Sequence, residues 1–224
     1  MALSILIAVA AVAVLFVGAP LLTANWLAGD STLGLNLVEG VIRIVIFVGY
    51  IWAIGRSAEI KRVFEYHGAE HKTIHAFEAG DPLTTAEIQK YSPAHPRCGT
   101  SFLLLVVLAS IVVFSFVPHT LGLVWLVVSR LLLIPVIAGI SYEILRASGL
   151  RADALFGRVV ATPGLWLQKL TTGEPDDDQV EVAVASLLSA LDDESVEEVR
   201  GRGDIIAGAV EAFETGCVGD DSDG

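Results

Sequence analysis

A chain of 224 residues with 54% hydrophobic content and a mean hydropathy of +0.66 is too apolar for an ordinary soluble domain, and its apolar residues are grouped rather than periodic. Its net charge of −12 is uneven: residues 174–224 hold 16 acidic and two basic side chains, a net −14, while residues 1–173 carry +2. These numbers exclude a soluble globular fold and, with so acidic a tail, a nucleic-acid partner. They imply an all-α, polytopic helical protein whose first partner is the lipid bilayer of the cell membrane.

Apolar runs at 3–24, 36–55, 101–117 and 121–145 are each near the ~20 residues needed to cross ~30 Å of hydrocarbon, and predict four transmembrane helices. The first has no Lys or Arg ahead of it, and its length suits a retained span rather than a signal peptide. Glu39, Arg43 and Arg130 lie inside spans, where each would cost a few kcal/mol facing lipid. Glu39 and Arg43, four apart, predict an intrahelical pair with Arg130 as a further partner, and structural glue is their default role.

The other twelve Lys and Arg all fall in the loop between the second and third spans or after the fourth. The opposite side, Asn25 to Gly34 and the turn around Pro118-His119-Thr120, has no basic residue. The positive-inside rule therefore puts both termini and the loop in the cytoplasm. The expected organisation is a transmembrane domain, 1–173, containing a cytoplasmic loop, 57–100, followed by an acidic cytoplasmic tail, 174–224.

From Ser57 to Ala79 there is no proline, which predicts a helix continuing the second span and ending at Gly80-Asp81-Pro82. Thr84-Thr85-Ala86-Glu87 has the capping-box pattern and opens a short helix to Tyr91. Ser92-Pro93-Ala94-His95-Pro96 is then a two-proline loop, so the segment folds back on its own start. On the first helix His67, Glu70, His71, His75 and Glu78 share an arc of about 140°, at about 100° per residue. His67 and His71, four apart, present two imidazoles to one metal ion, and Glu70 is the adjacent base, in the H-x-x-E-H order of inverzincin peptidases. Lys72 points elsewhere, toward solvent or lipid headgroups. His95-Pro-Arg-Cys98 adds a His-x-x-Cys pair, Arg97 faces a headgroup or a substrate anion, and Glu143 is a remote carboxylate ligand. Mixed imidazole, thiolate and carboxylate donors favour zinc among divalent metals.

In the tail, Val180, Val182, Val184, Leu187, Leu188 and Leu191, led by Asp176 to Asp178, predict one amphipathic helix within a largely solvated extension that ends in a disordered Asp220 to Gly224. Cys98 and Cys217, in a reducing compartment, are not expected to pair.

Tyr66-His-Gly-Ala-Glu-His-Lys72, His95-Pro-Arg-Cys-Gly-Thr-Ser-Phe102, Gly139-Ile-Ser-Tyr-Glu143 and Pro163-Gly-Leu-Trp-Leu-Gln-Lys-Leu-Thr-Thr172, followed by Glu174-Pro-Asp-Asp, resemble the YqhQ-like family, domain of unknown function 1385, over residues 35–190. The resemblance implies a multi-span membrane protein and a metal-dependent enzyme without an assigned reaction. It marks His67, Glu70, His71, His95, Arg97, Cys98 and Glu143, and leaves His75 outside the motif. The N-terminus departs from the family's usual Gly-rich segment with Met-Arg-Gly-Pro, since this sequence opens directly on an apolar run.

The leading functional expectation is a hydrolase: metal on His67 and His71 with His95, Cys98 or Glu143, Glu70 as base, Arg97 toward the substrate, acting on a membrane-associated peptide or lipid. The alternative is a scaffold with a structural metal site. A transporter with a polar path at Glu39, Arg43 and Arg130 requires homo-oligomers, because four spans are few for a carrier.

Overall fold

Apolar runs become helices in a computed structural model, which describes residues 2–27, 32–117, 122–151 and 154–218; the described residues contain no strand. The turn at Pro118 to Thr120, the middle of the loop between Asn25 and Gly34, the end of the tail from Asp220 and the side chain of Cys217 lie outside them. The helices are α1 (Ala2–Ala13), α2 (Ala19–Leu27), α3 (Thr32–Ile54), α4 (Ala58–Ala79), α5 (Thr85–Ile88), α6 (Gly99–Ser115), α7 (Leu123–Gly149), α8 (Leu155–Thr171), α9 (Asp177–Ala190), α10 (Asp193–Gly201) and α11 (Ala207–Val218). They form two units, residues 1–53 with 96–167 and residues 54–95 with 168–224. The loop and the tail, separate pieces in the sequence reading, belong to one unit.

In the first unit, two stretches, Gly34–Ile54 and Val127–Gly149, are long and apolar enough to cross a membrane. Only 17% and 22% of their apolar windows are buried, where the central helix of a soluble protein would be mostly enclosed. The third apolar run forms the shorter α6, and the first is helical from Ala2 to Leu27 with a π-turn at Val14–Gly18. Pro20 has no N–H to offer the carbonyl four residues back, Phe16, and Arg43 Nε donates to that carbonyl at 3.0 Å instead. Arg43 also bonds Ser110 Oγ at 3.0 Å and Glu39 at 2.6 Å, and Arg130 reaches both Glu39 oxygens at 3.1 and 2.5 Å. Both guanidiniums stand over the Phe114 ring, at 5.1 and 4.9 Å. The expected glue is therefore a buried Arg–Glu–Arg cluster, set beside an apolar core of Leu21, Phe114, Val117 and Ile137.

In the second unit, α3 does not continue into α4: the chain breaks at residues 55–57, and Ser57 is an extended N-cap. Gly80 ends α4 with φ 79°, a conformation glycine adopts without penalty, and its N–H caps the helix. Thr84 caps α5 by accepting from the Glu87 N–H, as its sequence predicts. The tail holds three helices rather than one. Asp176 and Gln179 close a reciprocal capping box, and Val180, Ala183, Val184 and Leu188 of α9 pack on Ala69 and Ala76 of α4. Val182 stands outside that face, half exposed. Val199 of α10 and Ala209 of α11 complete the core. Arg202 donates to the Phe77 carbonyl at 2.8 Å and covers its ring, while the Ile206 N–H reaches the Leu83 carbonyl at 3.1 Å. The tail is thus a packed part of the unit and not a solvated extension.

Candidate functional site

Spacing of four places His67, His71 and His75 in a row along α4, and the two-proline loop brings His95 to them. Ring centres lie 4.3 Å apart for His67 and His71, 4.5 Å for His75 and His95, and 5.8 Å for His71 and His95. His67 Nδ1 bonds the Thr171 carbonyl at 2.8 Å, His71 Nδ1 the Pro93 carbonyl at 2.6 Å, and His75 Nε2 the Ala94 carbonyl at 3.0 Å. A carbonyl only accepts, so each of these nitrogens carries a proton, and in the neutral ring the opposite nitrogen holds the lone pair. Ring N–H groups held by carbonyls are the usual outer support of metal-binding imidazoles. His75 also stacks on Tyr91, at 5.8 Å and 8°.

His95 is 5% exposed, with Nε2 at 3.4 Å from Glu78 Oε2. Burial, then the neighbouring His75, holds its pKa below the ordinary 6.5, with Glu78 opposing and His71 adding to the depression. Its backbone is clamped by the fully buried Gln168: the His95 N–H donates to Oε1 at 2.7 Å, and Nε2 donates to the His95 carbonyl at 2.9 Å. Gln168 carries no catalytic pattern, and its membership of the Leu-Gln-Lys-Leu stretch was its only signal.

The seat for Thr171 is made by Gly68. A Cβ there would fall 2.0 Å from the Gly173 carbonyl oxygen, so only glycine admits that chain, whose Gly173 N–H bonds the Phe64 carbonyl at 2.8 Å. Glu70 is exposed, unlike the buried His71 beside it. Lys72 corrects its sequence reading: it is 3% exposed, with Nζ at 3.2 Å from both Gln89 oxygens and 2.7 Å from Glu174. The start of the tail supplies the counter-charge that the sequence left unassigned.

The remaining predicted residues stand in the first unit. Cys98 is a buried thiol and the N-cap of α6, accepting from the Thr100 N–H at 3.4 Å. Arg97 is exposed, and Glu143 is an exposed partner of Arg146 at 3.7 Å. The structure thus gathers His67, His71, His75, His95 and Glu78 in the second unit.

Residues 1–193 match the family described as "Protein of unknown function (DUF1385)". Over 162 residues, 72% of this chain, the sequence is 41% identical to "Uncharacterized protein YqhQ" of Bacillus subtilis (strain 168), and it spans about half, 50%, of the length of that curated relative. No solved structure matches. With most of its length inside the family match, the chain belongs to the DUF1385 family.

Proposed function

We propose that this chain is a membrane-embedded, metal-dependent hydrolase of the cytoplasmic face, holding a divalent ion, zinc by the chemistry of its donors, on His67 and His71. The observation that carries this reading is the adjacent pair of rings, 4.3 Å apart, each with Nδ1 committed to a carbonyl. Imidazole nitrogen suits zinc, and such an ion supplies Lewis acidity toward an amide, ester or phosphoester. Glu70 is the proton acceptor for attacking water, and Arg97 holds an anionic group of a membrane-associated peptide or lipid. The membrane part rests on the two long, largely exposed apolar helices and on the grouping of basic residues, read as four spans with both termini cytoplasmic.

A second reading, a structural metal in a non-catalytic scaffold, is favoured by one feature: His71 and His75 already latch the consecutive carbonyls of Pro93 and Ala94. Metal content of detergent-purified protein, by mass spectrometry, tests both. Stoichiometric metal in wild type, absent from His67→Ala/His71→Ala, supports the site; no metal after zinc, iron and manganese reconstitution refutes it. Cys98→Ser and Glu143→Gln decide whether either side chain enters the metal shell. Glu70→Gln that keeps metal and loses cellular function supports the hydrolase, and full function in that variant rejects Glu70 as base.

A further inference from the structure

Helix α8 divides into three sectors when its residues are placed at about 100° each, counted from Leu155. Gly157, Gly164 and Leu167 are buried and occupy about 120–200°. A Cβ on Gly164 would lie 2.1 Å from Ser101 Oγ, so this side lies directly on α6. Leu155, Trp166, Val159 and Phe156, at 79%, 66%, 60% and 45% exposure, occupy about 0–100°, and the described residues leave that sector open. Arg158, Lys169 and Thr162, all exposed, line the remaining edge at about 300–340°.

That division separates α8 from the spans. In α7 the exposed Leu131, Leu132, Ile134, Val136 and Ile140 spread over about 240°, the pattern of a helix with lipid around most of its circumference. In α8 apolar and basic residues keep to separate edges, and the basic edge runs parallel to the axis: Arg158 and Lys169 stand about 16 Å apart along it. An upright helix would hold those two charges at depths differing by about half of a ~30 Å hydrocarbon layer. A helix lying flat holds both at one depth. The basic edge is about 90° from the middle of the apolar sector, where headgroups stand beside a half-sunk helix. Lys and Arg at that depth complement anionic headgroups, and tryptophan suits the same level.

We propose that α8 is an in-plane helix of the membrane interface, with Leu155, Val159 and Trp166 among the upper acyl chains and Arg158 and Lys169 on anionic lipid headgroups. The inference rests on the membrane reading above, adds to its spans a helix that does not cross, and is independent of the metal. The basic edge beside the apolar sector selects an anionic lipid surface over a second copy of α8, which has no acidic residue to meet that edge.

Fluorescence of Trp166 tests the depth. The full chain with Trp26→Phe, Trp52→Phe and Trp125→Phe is placed in vesicles of phosphatidylcholine and phosphatidylglycerol whose acyl chains are brominated either near the headgroup or near the chain end. The shallow bromines should quench Trp166 at least twofold more strongly than the deep ones. Val136→Trp on α7, in a chain whose four native tryptophans are all phenylalanine, should show the reverse order. Equal or stronger quenching of Trp166 by the deep bromines overturns the in-plane placement. No quenching of Trp166, with the α7 indole still quenched, overturns it as well, and the emission maximum then tells water from a second copy as the cover. If neither indole is quenched, the membrane reading falls with it. Arg158→Gln/Lys169→Gln should lower the shallow-to-deep ratio at least twofold, and an unchanged ratio refutes the headgroup contact. Should the triple phenylalanine variant fail to fold, the difference between wild type and Trp166→Phe yields the same ratio.

Discussion

Gly68→Ala puts the packing around the histidines to its sharpest test, because intrinsic propensity and tertiary structure predict opposite signs. In an open helix the change stabilises by about 1 kcal/mol. Here the new methyl would stand 2.0 Å from the Gly173 carbonyl oxygen and 3.1 Å from its carbon, backbone that no rotamer change can move, with Pro93 Cβ at 3.3 Å. The strand of chain at 171–173 must lift, breaking the Gly173 to Phe64 bond and the His67 to Thr171 bond, both 2.8 Å. Each bond contributes roughly 0.5–1.5 kcal/mol, and overpacking costs about 1–3 kcal/mol. After the propensity gain the net is about 3 kcal/mol destabilising. For a unit of about 100 residues this lowers the unfolding midpoint by on the order of 10 °C. Thermal unfolding in mild detergent, followed by far-ultraviolet circular dichroism, measures it. Gly201→Ala, with open space around its Cβ, is the control and should stay within about 0.5 kcal/mol of wild type. An unchanged or raised midpoint for Gly68→Ala would refute the close approach and, with it, the seating of His67.

Gln168→Leu strips partners from both the N–H and the carbonyl of His95, and should cost about 2–4 kcal/mol in the same melt. An unaltered midpoint would show that the clamp is not formed. Since burial holds His95 below its ordinary 6.5, the unfolded chain takes up a proton that the folded one refuses. The stability His95 contributes is full above about pH 6.5 and declines as pH falls below it; denaturation midpoints from pH 7.5 to 5 should therefore slope downward, and His95→Gln should flatten the slope. Glu39→Gln leaves the charges of Arg43 and Arg130 without their buried carboxylate, and should cost about 3–5 kcal/mol, read as early unfolding on detergent extraction.

Local patterns carried the parts of the site that one element builds by itself. The row of His67, His71 and His75 follows from helical spacing, Thr84 announces its cap, Asp176 to Asp178 mark the start of α9, and two prolines turn the loop back toward α4. What long-range packing builds stayed hidden. Lys72 reads as a surface charge until Gln89 and Glu174 surround it. Gln168 has no periodic signature, because its role is to pair with backbone 73 residues away in sequence. Gly164, inside α8, serves close contact with Ser101, which no local pattern announces. The tail's acidity suggested solvation because charge density outweighed its spaced Val and Leu residues. In the fold Val180, Val184 and Leu188 pack against α4, while Val182 stays half exposed.

The second unit is assembled from two segments, 54–95 and 168–224, with the whole intervening stretch belonging to the first. During synthesis the surface formed by Ala69, Ala76, Leu83 and Ile88 emerges well before Val180, Val184 and Leu188, the residues that cover it. At ~5–20 residues per second, the delay between residues 95 and 168 is roughly 4–15 s. Throughout that interval the histidine helix is an incomplete half, open to chaperones and proteases. A nascent chain stalled before residue 174 would be a target for quality control rather than a shorter working protein.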